Sequence, residues 1–142
     1  MFKRILVPLD GSPVAEAVLP QVQELVKALG AELFLMRAAY AHVFPGVDPT
    51  EGEVEVVQKA EAYLADVAGR LGREGIRVHT AVRYGDAADE ILHHIGDNAV
   101  GLVAMSTHGR TGLSHLVLGS VAEKVVRHAT VPVLLVRAGD RL

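Results

Sequence analysis

The residues best suited to chemistry stand in one stretch of fifteen, residues 106–120. It holds three glycines, which let the backbone bend and approach a ligand without a Cβ in the way. His108 and Arg110 add a ring nitrogen and a positive charge. A helix that starts near Gly119 has free backbone N–H groups in its first turn, and its positive end favours an anion. We therefore predict an anion site here, with phosphate as the anion.

A strand and a helix flank this stretch and must position it. Before it, residues 101–105 form a short apolar run that is typical of a buried parallel strand. After it, Ser120 and Glu123 have the spacing of a capping box, which predicts Ser120 as the N-cap residue. The stretch then joins the carboxyl end of a strand to the first turn of a helix. In an open α/β sheet, ligands bind at that place.

A simple turn followed by a helix cap is the alternative interpretation of Gly119 and Ser120, because most helices need a cap. The length and glycine content of the stretch favour a functional role, since a long loop inside a compact domain is more often functional. The chain contains neither Gly-x-x-x-x-Gly-Lys-Ser/Thr nor Gly-x-Gly-x-x-Gly. Two well-known phosphate-binding motifs are therefore absent.

Length and composition limit the protein class. The 142 residues are 50% hydrophobic, carry a net charge of −3 and include no cysteine. We predict one domain over residues 1–142 with a substantial core, and no nucleic-acid partner on electrostatic grounds. Disulfides and thiolate metal sites are excluded. No apolar run approaches the roughly 18 residues that cross a bilayer, so we expect no membrane association and a cytoplasmic location.

Strands and helices alternate along the chain. The predicted strands are residues 4–8, 32–38, 76–82, 101–105 and 131–136. The predicted helices are residues 13–29 with a kink at Pro20, one that a capping box starts at Thr50, one from Asp86 to about residue 95, and 121–128. This alternation predicts an α/β fold: an open five-stranded parallel sheet with helices on both faces. The sequence alone does not give the strand order.

These motifs together resemble the universal stress protein family in its ATP-binding form. The match is Ser106-x-x-Gly109, nine residues and Gly119-Ser120, against that family's Gly-x-x-Gly-x9-Gly-Ser/Thr. The segments 5–12, 119–125 and 131–136 are similar too, so the resemblance covers essentially the whole chain. The first motif glycine is Ser106 here, which still supplies a backbone N–H and adds a hydroxyl. The resemblance implies a Rossmann-like sheet of order 3-2-1-4-5.

The resemblance also implies a ligand and a site. The ligand is ATP, with Mg²⁺ brought by the nucleotide. On position alone, Asp10 is equally a turn residue that caps its own backbone or a contact to ribose, adenine or a phosphate-bound metal; the resemblance favours the contact. Backbone groups near Ala38 would meet the base. The expected nucleotide-binding residues are Pro8, Leu9, Asp10, Ala38, Met105, Ser106, His108, Gly109, Arg110, Gly119, Ser120 and Val121.

No metal site of the chain's own is expected. His93 and His94 are adjacent, which is not the i, i+4 spacing that metal-binding pairs on a helix have. We interpret them as surface or half-buried histidines.

Hydrolysis is not the expected activity. A serine hydrolase built on Ser106 or Ser114, with His108 or His115 as base, is disfavoured because no Gly-x-Ser-x-Gly elbow occurs. Fast ATP hydrolysis is disfavoured because the chain has no Walker lysine and no evident residue to orient water. We expect ATP binding with slow or no turnover. A nucleotide-free dimeric interaction module of the same fold is the alternative, and Ser106 in place of glycine favours it.

The last strand predicts a homodimer. It begins at Val131, ends at Val136 and is the most apolar of the five. Pro132 cannot donate to a ladder, which suits an edge strand or a first strand position. A long apolar edge left open is an aggregation hazard, and pairing with a second copy would cover it. An interior strand, or one covered by a helix or loop, is the alternative.

Overall fold

The computed structural model of the chain describes residues 2–40, 45–46, 48–109 and 119–139. Strands and helices alternate along it, as the sequence predicts. In chain order they are β1 (Arg4–Pro8), α1 (Pro13–Glu16), α2 (Leu19–Leu29), β2 (Glu32–Ala39), α3 (Pro49–Gly72), β3 (Val78–Tyr84), α4 (Ala87–Asp97), β4 (Leu102–Gly109), α5 (Ser120–His128) and β5 (Val133–Gly139).

The five strands form one parallel sheet of order β3-β2-β1-β4-β5, which confirms the expected fold class and order. The chain winds from β1 to one edge and then returns to add β4 on the other side of β1. The direction of winding therefore changes between β1 and β4, and a crevice opens there beyond the carboxyl ends of the strands. Asp10 lies at that point, two residues after the end of β1.

Helices cover both faces of the sheet. On one face α2 and α3 pack against alternate strand residues such as Leu35, and on the other α4 and α5 pack against residues such as Met36. In β1 the three consecutive residues Ile5, Leu6 and Val7 are fully buried, because this central strand is covered on both sides. Burial of each such side chain contributes about 1.5–3 kcal/mol.

The first predicted helix is broken at Ala17 and Val18 into α1 and α2. The break lies just before Pro20, which has no N–H to donate to the carbonyl of Glu16 and therefore cannot continue the first turn. The predicted start of α1 is confirmed: Ser12 is the N-cap residue, its hydroxyl accepts from the Ala15 N–H, and proline stands at the first helical position.

Both predicted capping boxes are wrong. Helix α3 starts at Pro49, and its N-cap is Asp48, whose carboxylate accepts from the Thr50 N–H at 2.9 Å. An aspartate followed by proline at the first helical position is the stronger start signal. Helix α5 has Gly119 as its N-cap and includes Ser120, so its N-cap residue offers no side chain to cap it.

The carboxyl ends of four strands extend beyond their predicted limits, that of β2 by the single residue Ala39. β3 spans Val78–Tyr84, while β4 continues through polar residues to Gly109 and β5 through to Gly139. The ends of β4 and β5 pair with each other, and this pairing satisfies backbone groups in a polar segment that hydrophobicity does not reveal. Among the described residues, no helix has the length and apolarity needed to cross a membrane.

Candidate functional site

A cavity of about 320 Å³ opens at the carboxyl ends of β1, β2 and β4, at the change in winding direction. Its size is at the lower end of the range for small-molecule sites. Its walls come from the turn after β1, from α1, from the start of α4 and from the N-terminus of α5. Nine of the expected residues line it: Pro8, Leu9, Asp10, Ala38, Met105, Ser106, Gly119, Ser120 and Val121.

The other three expected residues are not in the part of the cavity lining that the structure describes. His108 and Gly109 belong to β4 and pair in register with Ala138 and Gly139 of β5. Arg110 lies outside the described residues.

Asp10 forms part of the first wall. One carboxylate oxygen, Oδ1, accepts from the Ser12 N–H at 2.9 Å and from the Ser12 hydroxyl at 2.5 Å. The turn-capping interpretation of this aspartate therefore holds. It accounts for one oxygen only, because Oδ2 accepts no hydrogen bond from the described residues. The exposed carboxylate can cap its turn and still accept from a ligand.

Arg37 supports this turn from the neighbouring strand. Gly11 has φ +88°, and a Cβ built on it would lie 3.1 Å from Arg37 Nη1. The same guanidinium stacks on the ring of Tyr63, 5.1 Å from its centroid. Tyr63 donates its hydroxyl to Glu16 Oε2 at 2.5 Å, and burial together with this carboxylate raises the pKa of the Tyr63 hydroxyl. The turn and the end of α1 are thus held by one connected group of side chains.

The end of β4 forms the opposite wall. The Ser106 hydroxyl donates to the Ala15 carbonyl in α1 at 3.2 Å, so it joins the two walls directly. Thr107 also lines the cavity, and its side chain is 2% exposed. Its Oγ1 has no hydrogen-bond partner among the described residues. Thr107 is therefore a buried polar group beside the cavity.

The N-terminus of α5 completes the cavity on the phosphate side predicted from the sequence. Gly119, the N-cap residue, is extended at φ −68° and ψ 162°, and its carbonyl accepts from the Glu123 N–H at 2.9 Å. Gly119 has no side chain to cap the helix, and none of the described side chains bonds the N–H groups of the first turn, residues 120–122. They have no acceptor inside the helix either, so they stand as donors at its positive end.

Helix α4 lines the cavity through Ala87 and Ile91 and is tied to α5. Lys124 of α5 donates to Asp89 Oδ1 at 2.6 Å and lies 3.9 Å from Asp86 Oδ2. The hydrogen bond from Lys124 lowers the pKa of the Asp89 carboxyl. These groups are exposed, so the pair orients the two helices but adds little free energy.

His94, further along α4, is buried at 3% exposure, which corrects its interpretation as surface or half-buried. Arg83 Nε donates to its Nδ1 at 3.2 Å, so the neutral ring carries its proton on Nε2. Nε2 has no partner among the described residues. Burial and the positive charge of Arg83 lower the pKa of His94. His93 is exposed, as expected.

A model of the universal stress protein family matches residues 1–137. This chain belongs to the universal stress protein family. Universal stress protein MJ0531 of Methanocaldococcus jannaschii is 31% identical, in an alignment that covers 96% of this chain and 83% of that protein.

Solved structures share the fold. Protein MJ0577, also from M. jannaschii, is 29% identical over 96% of each chain, with a TM-score of 0.80. A universal stress protein in complex with cAMP is 20% identical, with a TM-score of 0.70, and the match covers 96% of this chain and 98% of that one. At that identity, the second likeness shows the fold alone.

Sequence reasoning missed eight residues that line the cavity of this universal stress protein. They are Ser12, Val14, Ala15, Met36, Ala87, Ile91, Thr107 and Ala122. A signal existed for Met36, which lies two positions before Ala38 and so faces the same side of β2. A signal also existed for Thr107, which shares a strand face with Met105 once β4 is extended. The contributions of α1 and α4 depend on tertiary packing that the chain pattern does not encode.

The described residues include side chains of the types that metal-based or serine-based chemistry would use. No group of three or more His, Asp and Glu side chains among the described residues is placed to hold a metal ion. The Ser106 hydroxyl donates to a backbone carbonyl and not to a base. Ser114 and His115 lie outside the described residues.

Proposed function

We propose that this universal stress protein binds ATP in the cavity between β1 and β4 and acts as a nucleotide-dependent switch in the stress response. In this proposal residues 1–142 form a single nucleotide-binding domain. The observation that carries the proposal is the pairing of two features in one cavity. The N-terminus of α5, which no described side chain caps, lines the same cavity as the Asp10 carboxylate, whose Oδ2 is available to a ligand.

The phosphates are proposed to lie against α5. The backbone N–H groups of residues 119–121 are donors, and the helix end adds a partial positive charge. Gly119 presents no side chain toward the space, and an added Cβ there would meet nothing within 4 Å. An anionic group can therefore approach this backbone closely.

The nucleoside is proposed to lie against the strand ends. Leu9, Met36, Ile91 and Met105 give the cavity apolar surface that suits the faces of a purine. Asp10 then accepts from a ribose hydroxyl or the adenine amine, and backbone groups near Ala38 meet the base edge. The cAMP complex of another protein with this fold supports an adenine nucleotide as the ligand class.

Mg²⁺ enters this proposal with the triphosphate. Asp10 is the one acidic side chain among the described residues that line the cavity, so a metal would need phosphate oxygens for most of its ligands. The donor set fits a metal shared with the nucleotide. A dedicated protein cage for Mg²⁺ does not fit it.

Turnover is proposed to be slow or absent. Phosphoryl transfer needs a cation against the transferred group and a residue that orients water. The described lining contains no lysine, arginine or histidine. The protein is then at most a slow ATPase.

The homodimer through β5 is part of the proposal. β5 pairs only with β4 among the described strands and stands at the sheet edge, where Val133, Leu134, Leu135 and Val136 are half-buried. A second copy would pair with its outer side. The alternative function, a nucleotide-free dimeric module, rests on Ser106. Its hydroxyl bonds Ala15 and so leaves the phosphate side of the cavity clear, which makes this alternative the weaker one.

Two measurements on the purified protein test the proposal. Denaturation followed by chromatography is expected to release an adenine nucleotide, and calorimetric titration of nucleotide-stripped protein with Mg-ATP is expected to show saturable binding. Titration with inorganic triphosphate separates the phosphate contribution from that of the nucleoside. A stripped, folded protein that shows no heat of binding at millimolar Mg-ATP contradicts the proposal and favours the nucleotide-free module.

A further inference from the structure

We infer that Ser106 is a positioning residue, which ties α1 to the end of β4 and so holds the nucleoside side of the cavity in its binding geometry. The inference rests on the proposed nucleotide binding. It concerns the residue at which this chain differs from the motif Gly-x-x-Gly-x9-Gly-Ser/Thr, where a glycine has no hydroxyl to offer.

The tie is a single long-range hydrogen bond. Ser106 Oγ donates to the Ala15 carbonyl at 3.2 Å, across 91 positions of the chain. Both residues line the cavity, and Ser106 is half-buried, so water competes only partly for the bond. The bond therefore connects two walls that the sheet alone does not fix to each other.

Helix α1 depends on such polar ties. It has four residues, none of them buried, and it ends at the break that Pro20 imposes. A helix this short is not stable by itself, and without buried side chains its packing holds it weakly. Its other anchors among the described residues are the Ser12 cap on the Ala15 N–H, the bonds from Tyr63 and Arg70 to Glu16, and the packing of the partly buried Ala15 against the core.

Through α1 the tie reaches Asp10. Ser12 caps α1 and donates both its N–H and its hydroxyl to Asp10 Oδ1. Movement of α1 away from β4 would carry Ser12 with it and would shift the carboxylate proposed to contact the nucleoside. The effect of Ser106 is thus greatest for the nucleoside and least for the phosphates at α5.

The chemistry of the hydroxyl excludes a direct phosphate bond in this geometry. A serine has one hydroxyl proton, and Ser106 donates it to the Ala15 carbonyl. Only lone pairs remain for the cavity, and phosphate oxygens are acceptors as well. Ser106 therefore acts on the nucleotide through the position of α1.

The test uses Ser106→Ala and Ser106→Gly in the full-length protein, with Thr80→Ala on the exposed face of β3 as the matched control. In the absence of nucleotide, hydrogen exchange of the amides of residues 14–17 is expected to speed up in both Ser106 variants and not in the control. Loss of one hydrogen bond predicts that the Kd for Mg-ATP rises about three- to tenfold. Binding of inorganic triphosphate is expected to change little.

Each outcome decides a separate point. Unchanged exchange in α1 of a folded Ser106→Ala variant overturns the tie, even if the affinity for ATP falls. Faster exchange with unchanged affinity for ATP, or an equal loss for ATP and triphosphate, overturns the positioning role. A wild-type protein that binds no nucleotide overturns the proposed function, while the exchange measurement still tests the tie.

Discussion

Arg37 packs directly beneath Gly11, so closely that a Cβ on Gly11 would lie 3.1 Å from Arg37 Nη1. The glycine also has φ +88°, a conformation that costs a non-glycine residue about 1–2 kcal/mol. Gly11, in the turn that carries Asp10, is therefore favoured for two reasons: its positive φ and the little space that Arg37 leaves for a side chain. Substitution of Gly11 and of Gly75 can separate the two effects, because Gly75 has a similar φ of +82° but open space around it.

We predict that Gly11→Ala lowers the free energy of unfolding more than Gly75→Ala does, because only the former adds a tight contact with the Arg37 guanidinium to the backbone strain. Chemical denaturation measures the free energy of unfolding of both variants. In the double variant Gly11→Ala/Arg37→Ala, the tight contact is gone and the excess loss is expected to shrink. Equal losses for the two single variants would show that Arg37 does not constrain the turn.

Gly119→Val is predicted to lower the affinity for Mg-ATP about tenfold or more, because the valine side chain would occupy the space in which phosphate approaches the backbone. The extended φ of −68° tolerates valine, and the missing contacts around an added Cβ leave the fold intact. Asp48→Ala is the matched control, since it weakens a helix cap away from the cavity. Calorimetric titration measures the affinity of both variants for Mg-ATP. Wild-type affinity in a folded Gly119→Val protein would show that the phosphates do not bind at the N-terminus of α5.

Asp10→Ala is predicted to lower the affinity for ATP about tenfold or more and the affinity for inorganic triphosphate much less, since a hydrogen bond to a charged group contributes about 1.5–3 kcal/mol. Asp10→Asn is the control for the turn, because its amide oxygen can still accept from Ser12. If the loss in Asp10→Asn is as large as in Asp10→Ala, the charge matters for the ligand. An equal loss of affinity for ATP and for triphosphate would show that Asp10 contacts the phosphates or the metal, or that its role is only structural.

The apolar runs and the motif spacing predicted most of this architecture, because the buried strands β1 and β4 and the glycines between β4 and α5 are local features of the chain. Local signals competed where prediction failed. Asp48 with Pro49 outweighed the capping box at Thr50, and Gly119 took the cap position predicted for Ser120. Only the error at α5 bears on the site: no described side chain caps the first turn of this helix, and this supports the proposed anion site.

Other parts of the site depend on contacts that no local pattern contains. The Ser106 bond to Ala15 joins residues 91 positions apart, and the Arg37 packing under Gly11 joins strand β2 to the turn after β1. His94 is a different case, since a signal existed. It lies three positions after Ile91, which places it on the buried face of the helix that Ile91 and Ile95 share.

The buried, neutral ring of His94 leads us to expect that the free energy of unfolding falls in mild acid. Its folded pKa lies below the ordinary value of 6.5, so the unfolded chain binds the proton more readily. The stabilising contribution of the neutral ring is complete above pH 6.5 and is lost as the pH falls from there through the lower folded pKa. Protonation would also break the bond from Arg83 Nε to Nδ1 and set two positive charges side by side.

Replacement of His94 by Gln is therefore expected to flatten the dependence of unfolding free energy on pH below 6.5. The exposed neighbour His93 provides the matched control, and His93→Gln is expected to keep the wild-type slope. Urea denaturation at a series of pH values measures the slopes. A slope that survives in His94→Gln would assign the acid sensitivity to other groups.

The dimer prediction depends on which backbone groups of β5 point outward. Val103 N–H donates to the Pro132 carbonyl at 3.0 Å, and Val103 lies opposite Val133. In a parallel ladder this register turns the N–H of Leu134 toward β4 and that of Leu135 toward the open edge. Proline at 135 thus removes an edge donor, whereas proline at 134 would cut the ladder inside the protomer.

Leu135→Pro is accordingly expected to convert the homodimer into a monomer that remains folded, while Leu134→Pro is expected to lose stability as well. Light scattering at high micromolar concentration gives the mass of each protein, and circular dichroism reports whether it is folded. The half-buried side chains of β5 favour this edge for pairing, because a monomer leaves them partly exposed to water. A wild type that stays monomeric rules the dimer out, and a folded Leu135→Pro protein that stays dimeric moves the interface to another surface.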